Sequence, residues 1–148
     1  MMNDMRLVIP AMSENEALAR AVAGAFAARL DPSLAEIEDV RTAVSEAVTN
    51  AIIHGYEGME AGMVELYALI EEGSLMVQIS DYGRGIEDVA QARTPFYTSR
   101  PELERSGMGF TIMESFMDKV EVISDPGEGT MIRMYKSFSG ENAGEERE

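Results

Sequence analysis

Residues Met5 to Ile9 form a short apolar run closed by Pro10, the pattern of a first strand. Apolar residues then recur at helical spacing. Ser13 and Glu16 make an S-x-x-E capping box, and Leu18, Val22 and Phe26 follow on one stripe until Asp31-Pro32 stops it. This predicts a first helix with that stripe toward the core. A second capping box, Ser33 with Glu36, opens a longer helix whose stripe runs Ile37, Val40, Val44, Val48 and Ala51, with Gly55 as its C-terminal stop. Met63 to Ile70 and Leu75 to Ser80 alternate around Glu71-Glu72-Gly73-Ser74 and predict a hairpin.

From Asp81 to Gly109 the pattern breaks into glycines, two prolines and scattered arginines, a stretch long enough to predict a functional lid. Phe110 to Met117 reads as a helix beginning near Gly107. Val120 to Ser124 and Thr130 to Lys136 read as two strands around the turn 125–129. The order βααββ, lid, αββ predicts an α+β fold, a two-layer sandwich with helices on one face of a mostly antiparallel mixed sheet. One domain spans 1–138, and 139–148 form an acidic flexible tail without apolar periodicity.

Composition narrows the chemistry. A chain of 148 residues that is 45% hydrophobic and 26% charged suits one soluble core. It has no apolar run near the roughly 20 residues of a membrane helix and no signal-peptide pattern at its start, so a cytoplasmic protein is expected. Without cysteine there is no disulfide or thiolate chemistry, and with His54 as the one histidine any metal must be held by oxygen. The net charge of −15 argues against nucleic acid as the main ligand. A small phosphate ligand is less affected, because each charge-assisted hydrogen bond returns about 1.5 to 3 kcal/mol. Arg84, Arg93, Arg100 and Arg105 cluster where such an anion would be met.

Three short constellations carry candidate chemistry. Glu46 and Asn50 stand four residues apart on the second helix and project from one side. Asn50 can offer a neutral oxygen to a hard cation, and Glu46 can orient or deprotonate a nucleophile; an ordinary exposed pair would look the same. Asp81-Tyr82-Gly83-Arg84-Gly85 follows a strand, where a carboxylate can accept from an exocyclic amino group while glycines let backbone approach the ring. Taken alone, a tight turn after a strand is the commoner reason for such glycines. Arg105-Ser106-Gly107-Met108-Gly109 precedes a helix, where exposed backbone N–H groups and the Arg105 charge suit a phosphate. Gly127-Glu128-Gly129-Thr130 then opens a strand.

E-x-x-x-N on a helix, D-x-G-x-G after a strand, G-x-G before a helix and a G-x-G-T strand start, in that order, resemble the GHKL or Bergerat-type ATPases, which include histidine kinase catalytic domains, Hsp90 and gyrase B. Residues 45–55 (SEAVTNAIIHG) and 101–110 (PELERSGMGF) are similar in particular to the anti-sigma serine-kinase branch of that family, as are Ser13 to Glu16 with Ala19-Arg20. The resemblance spans residues 5 to 136; the segment 94–99 and the turn 125–129 depart from the branch.

The resemblance implies that Asn50 coordinates Mg²⁺ and that Asp81, helped by Thr130, recognises adenine in a pocket shaped by Gly83 and Gly85. It further implies that Arg105 with Ser106, Gly107, Met108 and Gly109 holds the phosphates of ATP or ADP. Glu46 and Arg105 would be the catalytic pair of a serine kinase. The implied partners are a sigma factor of the sporulation, sigma F type and an anti-anti-sigma protein that is phosphorylated on serine, with the kinase a homodimer. A nucleotide-gated binding module, a kinase acting on a different sigma factor and a detached histidine-kinase domain stand as alternatives. Glu16 and Arg20, spaced i, i+4 and expected on a face away from the apolar stripe, are the candidate partner-binding residues. Ala23, Gly24 and Ala27 nearby are expected to let a partner approach closely.

Overall fold

The computed structural model describes residues 2–57, 59–95 and 109–138. The elements are β1 (Met2–Pro10), α1 (Asn15–Ala27), a 3-10 turn (Ala28–Leu30), α2 (Leu34–Asn50), a π turn (Ala51–Gly55), β2 (Met63–Glu71), β3 (Ser74–Asp81), α3 (Val89–Ala92), α4 (Gly109–Phe116), β4 (Lys119–Asp125) and β5 (Gly129–Ser137). The sheet order is β1-β2-β3-β5-β4, and all four pairings are antiparallel, in keeping with the mostly antiparallel sheet that the sequence predicts. Two helices between β1 and β2 carry the chain across the sheet twice, so β2 returns opposite to β1; β2–β3 and β4–β5 are hairpins. The β2–β3 turn puts Glu72 at φ 49° and Gly73 at φ 79°, the left-handed pair that a two-residue hairpin needs.

One face of the sheet is dry. Val64, Leu66, Ala68 and Ile70 of β2, Leu75, Val77 and Ile79 of β3, and Ile132 and Met134 of β5 are buried there against Val40, Val44 and Val48 of α2 and Phe110 and Met113 of α4. Fully burying each such aliphatic side chain stabilises by about 1.5 to 3 kcal/mol. α2 is the middle helix, packed between α1 and α4. Lys136 from β5 ties this layer together, donating to Phe116 O at the end of α4 at 2.7 Å and pairing with Asp39 of α2 at 3.5 Å. Among the described residues no helix is long and apolar enough to cross a membrane.

The second capping box forms as expected: Glu36 N donates to Ser33 Oγ and Ser33 N to Glu36 Oε1, both at 3.0 Å. The first does not. α1 begins after Glu14 without a side-chain cap, because Glu16 is drawn inward to accept from Ser45 Oγ on α2 and to pair with Arg20 at 3.5 Å. The expected core stripe of α1 is also displaced. Leu18 is 47% exposed and Val22 half-buried, whereas Ala19, Ala23, Gly24, Phe26 and Ala27 face the interior. Small residues win that side because α1 and α2 approach closely: a Cβ on Gly24 would lie 3.0 Å from the Arg41 side chain. Ala23, Gly24 and Ala27 therefore serve an internal helix contact and are closed to a partner.

The two boxes give opposite expectations. Ser33→Ala should cost about 1 kcal/mol, roughly 2 to 4 °C in Tm for a chain of this size. Ser13→Ala should change stability by less than about 0.5 kcal/mol. Thermal melts of the two variants side by side check this, and an equal loss from both would contradict the observed start of α1.

Candidate functional site

β3 delivers Asp81 to the helix side of the sheet at the point where the strand ends. The carboxyl is 4% exposed, accepts from Gly83 N at 3.0 Å, and receives a second backbone hydrogen bond from Thr130 on β5. Burial pushes its pKa up from the ordinary aspartate value, and the two backbone donors pull against that shift without cancelling it. Among the described residues, a buried carboxyl held this way has no strong cationic partner. It is suited to a neutral donor, such as an amino group.

Glycines close around it from three elements. A Cβ on Gly55, at the end of the π turn, would lie 2.6 Å from Asp81 Cγ. One on Gly83 would lie 1.7 Å from Gly55 O, and one on Gly129 would lie 2.2 Å from Asp81 O. Gly129, at φ 98°, and Gly85, at φ 76° with its Cβ position 2.2 Å from Asp125 O, also need the left-handed backbone that glycine tolerates. The π turn matters here, since such turns shift the register of a helix end and bring Gly55 against the strand terminus.

Hydrogen bonds clamp the loop 82–86 from both flanks. On the α2 side, Arg84 N donates to Gly55 O at 2.7 Å, and Tyr82 N donates to Tyr56 Oη at 3.0 Å while Tyr56 donates to Met63 O at 2.6 Å. Arg84 also pairs with Glu57 at 3.2 Å. On the β4 side, Ile86 N donates to Ser124 Oγ at 2.7 Å and Gly127 N to Arg84 O at 2.6 Å. Ser124 in turn contacts Thr130 Oγ1 at 2.8 Å and donates to Gly129 O at 3.0 Å.

The residues singled out from the sequence fall as follows. Asp81, Gly83, Gly85 and Thr130 converge at this one corner, with Thr130 buried beside Asp81 in the β3–β5 register. Asn50 is the last residue of α2 and Glu46 lies one turn earlier, both half-buried, on the helix that leads into the π turn. His54 lies within that turn and is half-buried. Gly109 opens α4, and Arg105, Ser106, Gly107 and Met108 lie outside the described residues, as does the tail 139–148. Glu16 and Arg20 sit on α1, linked to each other and to α2 through Ser45.

Tyr56 and Ser124 escaped the sequence reading. Tyr56 directly follows Gly55 and was a usable signal, since a buried tyrosine needs a partner for its hydroxyl. Ser124 carried none, because its role depends on the β4–β5 pairing that sets it opposite Thr130.

The buried acceptor and the glycine cradle fit a flat base bearing an amino group. A family profile described as the histidine kinase-like ATPase domain matches residues 9–136. The chain is 52% identical over 143 residues to a protein of Halalkalibacterium halodurans named anti-sigma F factor, covering 97% of this chain and 98% of that one. It is 56% identical over 137 residues to a Clostridium acetobutylicum protein of the same name, covering 93% and 95%. Among solved structures, the RsbU and RsbW domains of Rv1364c from Mycobacterium tuberculosis share the fold, with a TM-score of 0.67 at 17% identity; the match covers 92% of this chain and 32% of that longer one. The fold, the corner built around Asp81 and these relatives agree: the chain belongs to the histidine kinase-like ATPase family, within its anti-sigma F factor branch.

Proposed function

We propose that this protein is a cytoplasmic anti-sigma factor that binds a sigma factor of the sigma F type and uses Mg-ATP to phosphorylate a serine of an anti-anti-sigma protein. The observation that carries the nucleotide part is the buried Asp81 carboxyl, packed closely by Gly55 and lining a cleft together with Ser124, Gly129 and Thr130. The partner part rests on the relatives of more than half identity whose names state it.

In this reading residues 1–138 act as one domain. Asp81 accepts from the adenine amino group, and the glycines let the backbone lie close to the ring. Asn50 offers its amide oxygen to Mg²⁺, which when bound neutralises charge on the phosphates. Arg105 and the backbone of Ser106, Gly107, Met108 and Gly109 hold the phosphate oxygens. Glu46, one turn before Asn50, orients the incoming serine hydroxyl and takes its proton. Glu16 and Arg20 form the partner contact. Glu16 is also bonded to Ser45, the neighbour of Glu46, so the partner face and the proposed base share one helix. The homodimer belongs to this reading through the family resemblance; the sheet face opposite the helices carries Met2, Val8, Met63 and Ile123 exposed but scattered among charged residues such as Arg6, Glu65 and Arg133.

Asp81→Asn should weaken ADP and ATP by tenfold or more in calorimetry, because an amide presents a donor where the amino group needs an acceptor. The pH dependence has a definite sign. Ionised Asp81 is the stronger acceptor and protonation turns one of its oxygens into a donor, so wild-type affinity is full above its raised pKa and falls as the pH drops through it. In the unliganded protein the raised pKa makes Asp81 contribute most to stability below the ordinary aspartate value, and that contribution is lost as the pH rises through the folded-state pKa. Both trends should be absent in Asp81→Asn; unchanged nucleotide affinity in that variant would remove the base assignment.

Glu46→Gln should keep nucleotide and partner binding while lowering the rate of serine phosphorylation by about 10²- to 10⁴-fold. A phosphotransfer assay at saturating nucleotide checks it, and wild-type rates would leave the nucleotide-gated binding module as the better reading. Arg20→Glu should weaken capture of the sigma factor or of the anti-anti-sigma protein at least tenfold with ATP affinity unchanged. Titrations against both proteins decide this, and equal affinities for both would move the interface off α1.

A further inference from the structure

Ser124 Oγ is contacted by three groups of different hydrogen-bonding character. Ile86 N lies at 2.7 Å and can only donate; Gly129 O lies at 3.0 Å and can only accept; Thr130 Oγ1 lies at 2.8 Å and can do either. A serine hydroxyl has one proton and two lone pairs. One assignment satisfies all three contacts: the Ser124 proton goes to Gly129 O, one lone pair takes the Ile86 amide, and the other takes the Thr130 hydroxyl proton. If Ser124 donated to Thr130 instead, Gly129 O would lose this donor in a nearly closed corner, which is the costlier arrangement.

Thr130 thereby loses its freedom to donate elsewhere. Its hydroxyl proton points at Ser124, and its lone pairs are what remains for anything bound beside Asp81, its β3–β5 register partner. The ionised Asp81 carboxyl is likewise an acceptor without a proton. Neither group can readily reposition, because Gly129 packs against Asp81 O and the loop 82–86 is clamped on both flanks.

We propose that Ser124 is a positioning residue for base selection: by taking the Thr130 hydroxyl proton it makes Thr130 and Asp81 a pair of acceptors, so that the site takes a 6-amino purine and rejects a 6-oxo purine. This rests on the reading of Asp81 as the base-recognising group. A 6-amino group brings two protons to two acceptors. A 6-oxo group brings a third acceptor where those two protons were; its N1–H can satisfy one of the protein acceptors, but the 6-oxo oxygen is left facing acceptors without a donor of its own. Asp81 supplies part of that discrimination by itself, and Ser124 adds the part that passes through Thr130.

The test uses the full chain with ADP and IDP as probes, measuring Kd for each by calorimetry with a thermal melt of every variant. Wild type should prefer ADP by at least a hundredfold. In Ser124→Ala the Thr130 hydroxyl is free to turn and donate to a 6-oxo oxygen, so the ADP/IDP ratio should narrow about tenfold. Ser124→Thr, which keeps the hydroxyl, should restore it. Thr130→Val should narrow the ratio similarly, and Ser124→Ala added to Thr130→Val should change it no further. If Ser124→Ala weakens ADP and IDP equally, the serine merely braces the loop and the proposal is overturned. Should Ser124→Ala fail to fold, the ratio in Thr130→Val decides: one equal to wild type overturns the proposal. The underlying base assignment is judged separately by Asp81→Asn. If that variant keeps the full ADP preference, the assignment itself fails; if it loses the preference while Ser124→Ala keeps it, the role of Ser124 alone fails.

Discussion

Burying the Asp81 carboxyl at the end of β3 is the constraint around which this corner of the molecule is organised. A carboxylate removed from water loses solvation that must be replaced by donors, and here two backbone N–H groups replace only part of it. Backbone can come that close only where side chains are missing, which accounts for glycine at 55, 83 and 129 on three separate elements. In the proposed function, the unmet remainder of the carboxyl's demand is what a bound amino group satisfies.

The surrounding elements can be understood as supports for that corner. α2 is anchored at its start by the Ser33–Glu36 box and along its length by Val40, Val44 and Val48, so its far end arrives at a fixed place. The π turn then presents Gly55, and Tyr56 reaches across to hold Tyr82. From the other side the β4–β5 hairpin supplies Ser124, Gly129 and Thr130. The loop that carries Gly83 and Gly85 is thus gripped between a helix end and a hairpin, and the geometry of the site depends on the packing of the whole helical layer.

α1 has a different task. Its interior face is made of alanine and glycine because it lies close to α2, and this leaves Leu18 outward. Glu16 joins the two helices through Ser45, so a contact made at Glu16 and Arg20 is one residue removed from Glu46. In the proposed function this places partner recognition and the proposed base on adjoining turns of the same two-helix unit. In that same reading Arg20, paired with Glu16, is a local positive anchor in a chain of strong negative charge.

Periodicity by itself determined the strands, both hairpins, α2 with its cap, α4 and the order of the elements, because alternation and the 3.6-residue repeat are imposed locally and each buried face has a sequence signature. The glycine-bearing motifs around Asp81 were legible for the same reason: glycine where backbone must come close leaves a mark in the chain. What the tertiary structure decided are the matters set by neighbours distant in sequence. Glu16 satisfies the local rule for a capping box, yet a serine 29 residues away competes for its carboxylate and takes it. Leu18 fits a helical stripe, yet the closeness of α2 gives the inner side to smaller residues. Ser124 Oγ meets Thr130 Oγ1 at 2.8 Å, and that contact exists because β4 and β5 are joined in register, a long-range fact that no local pattern encodes.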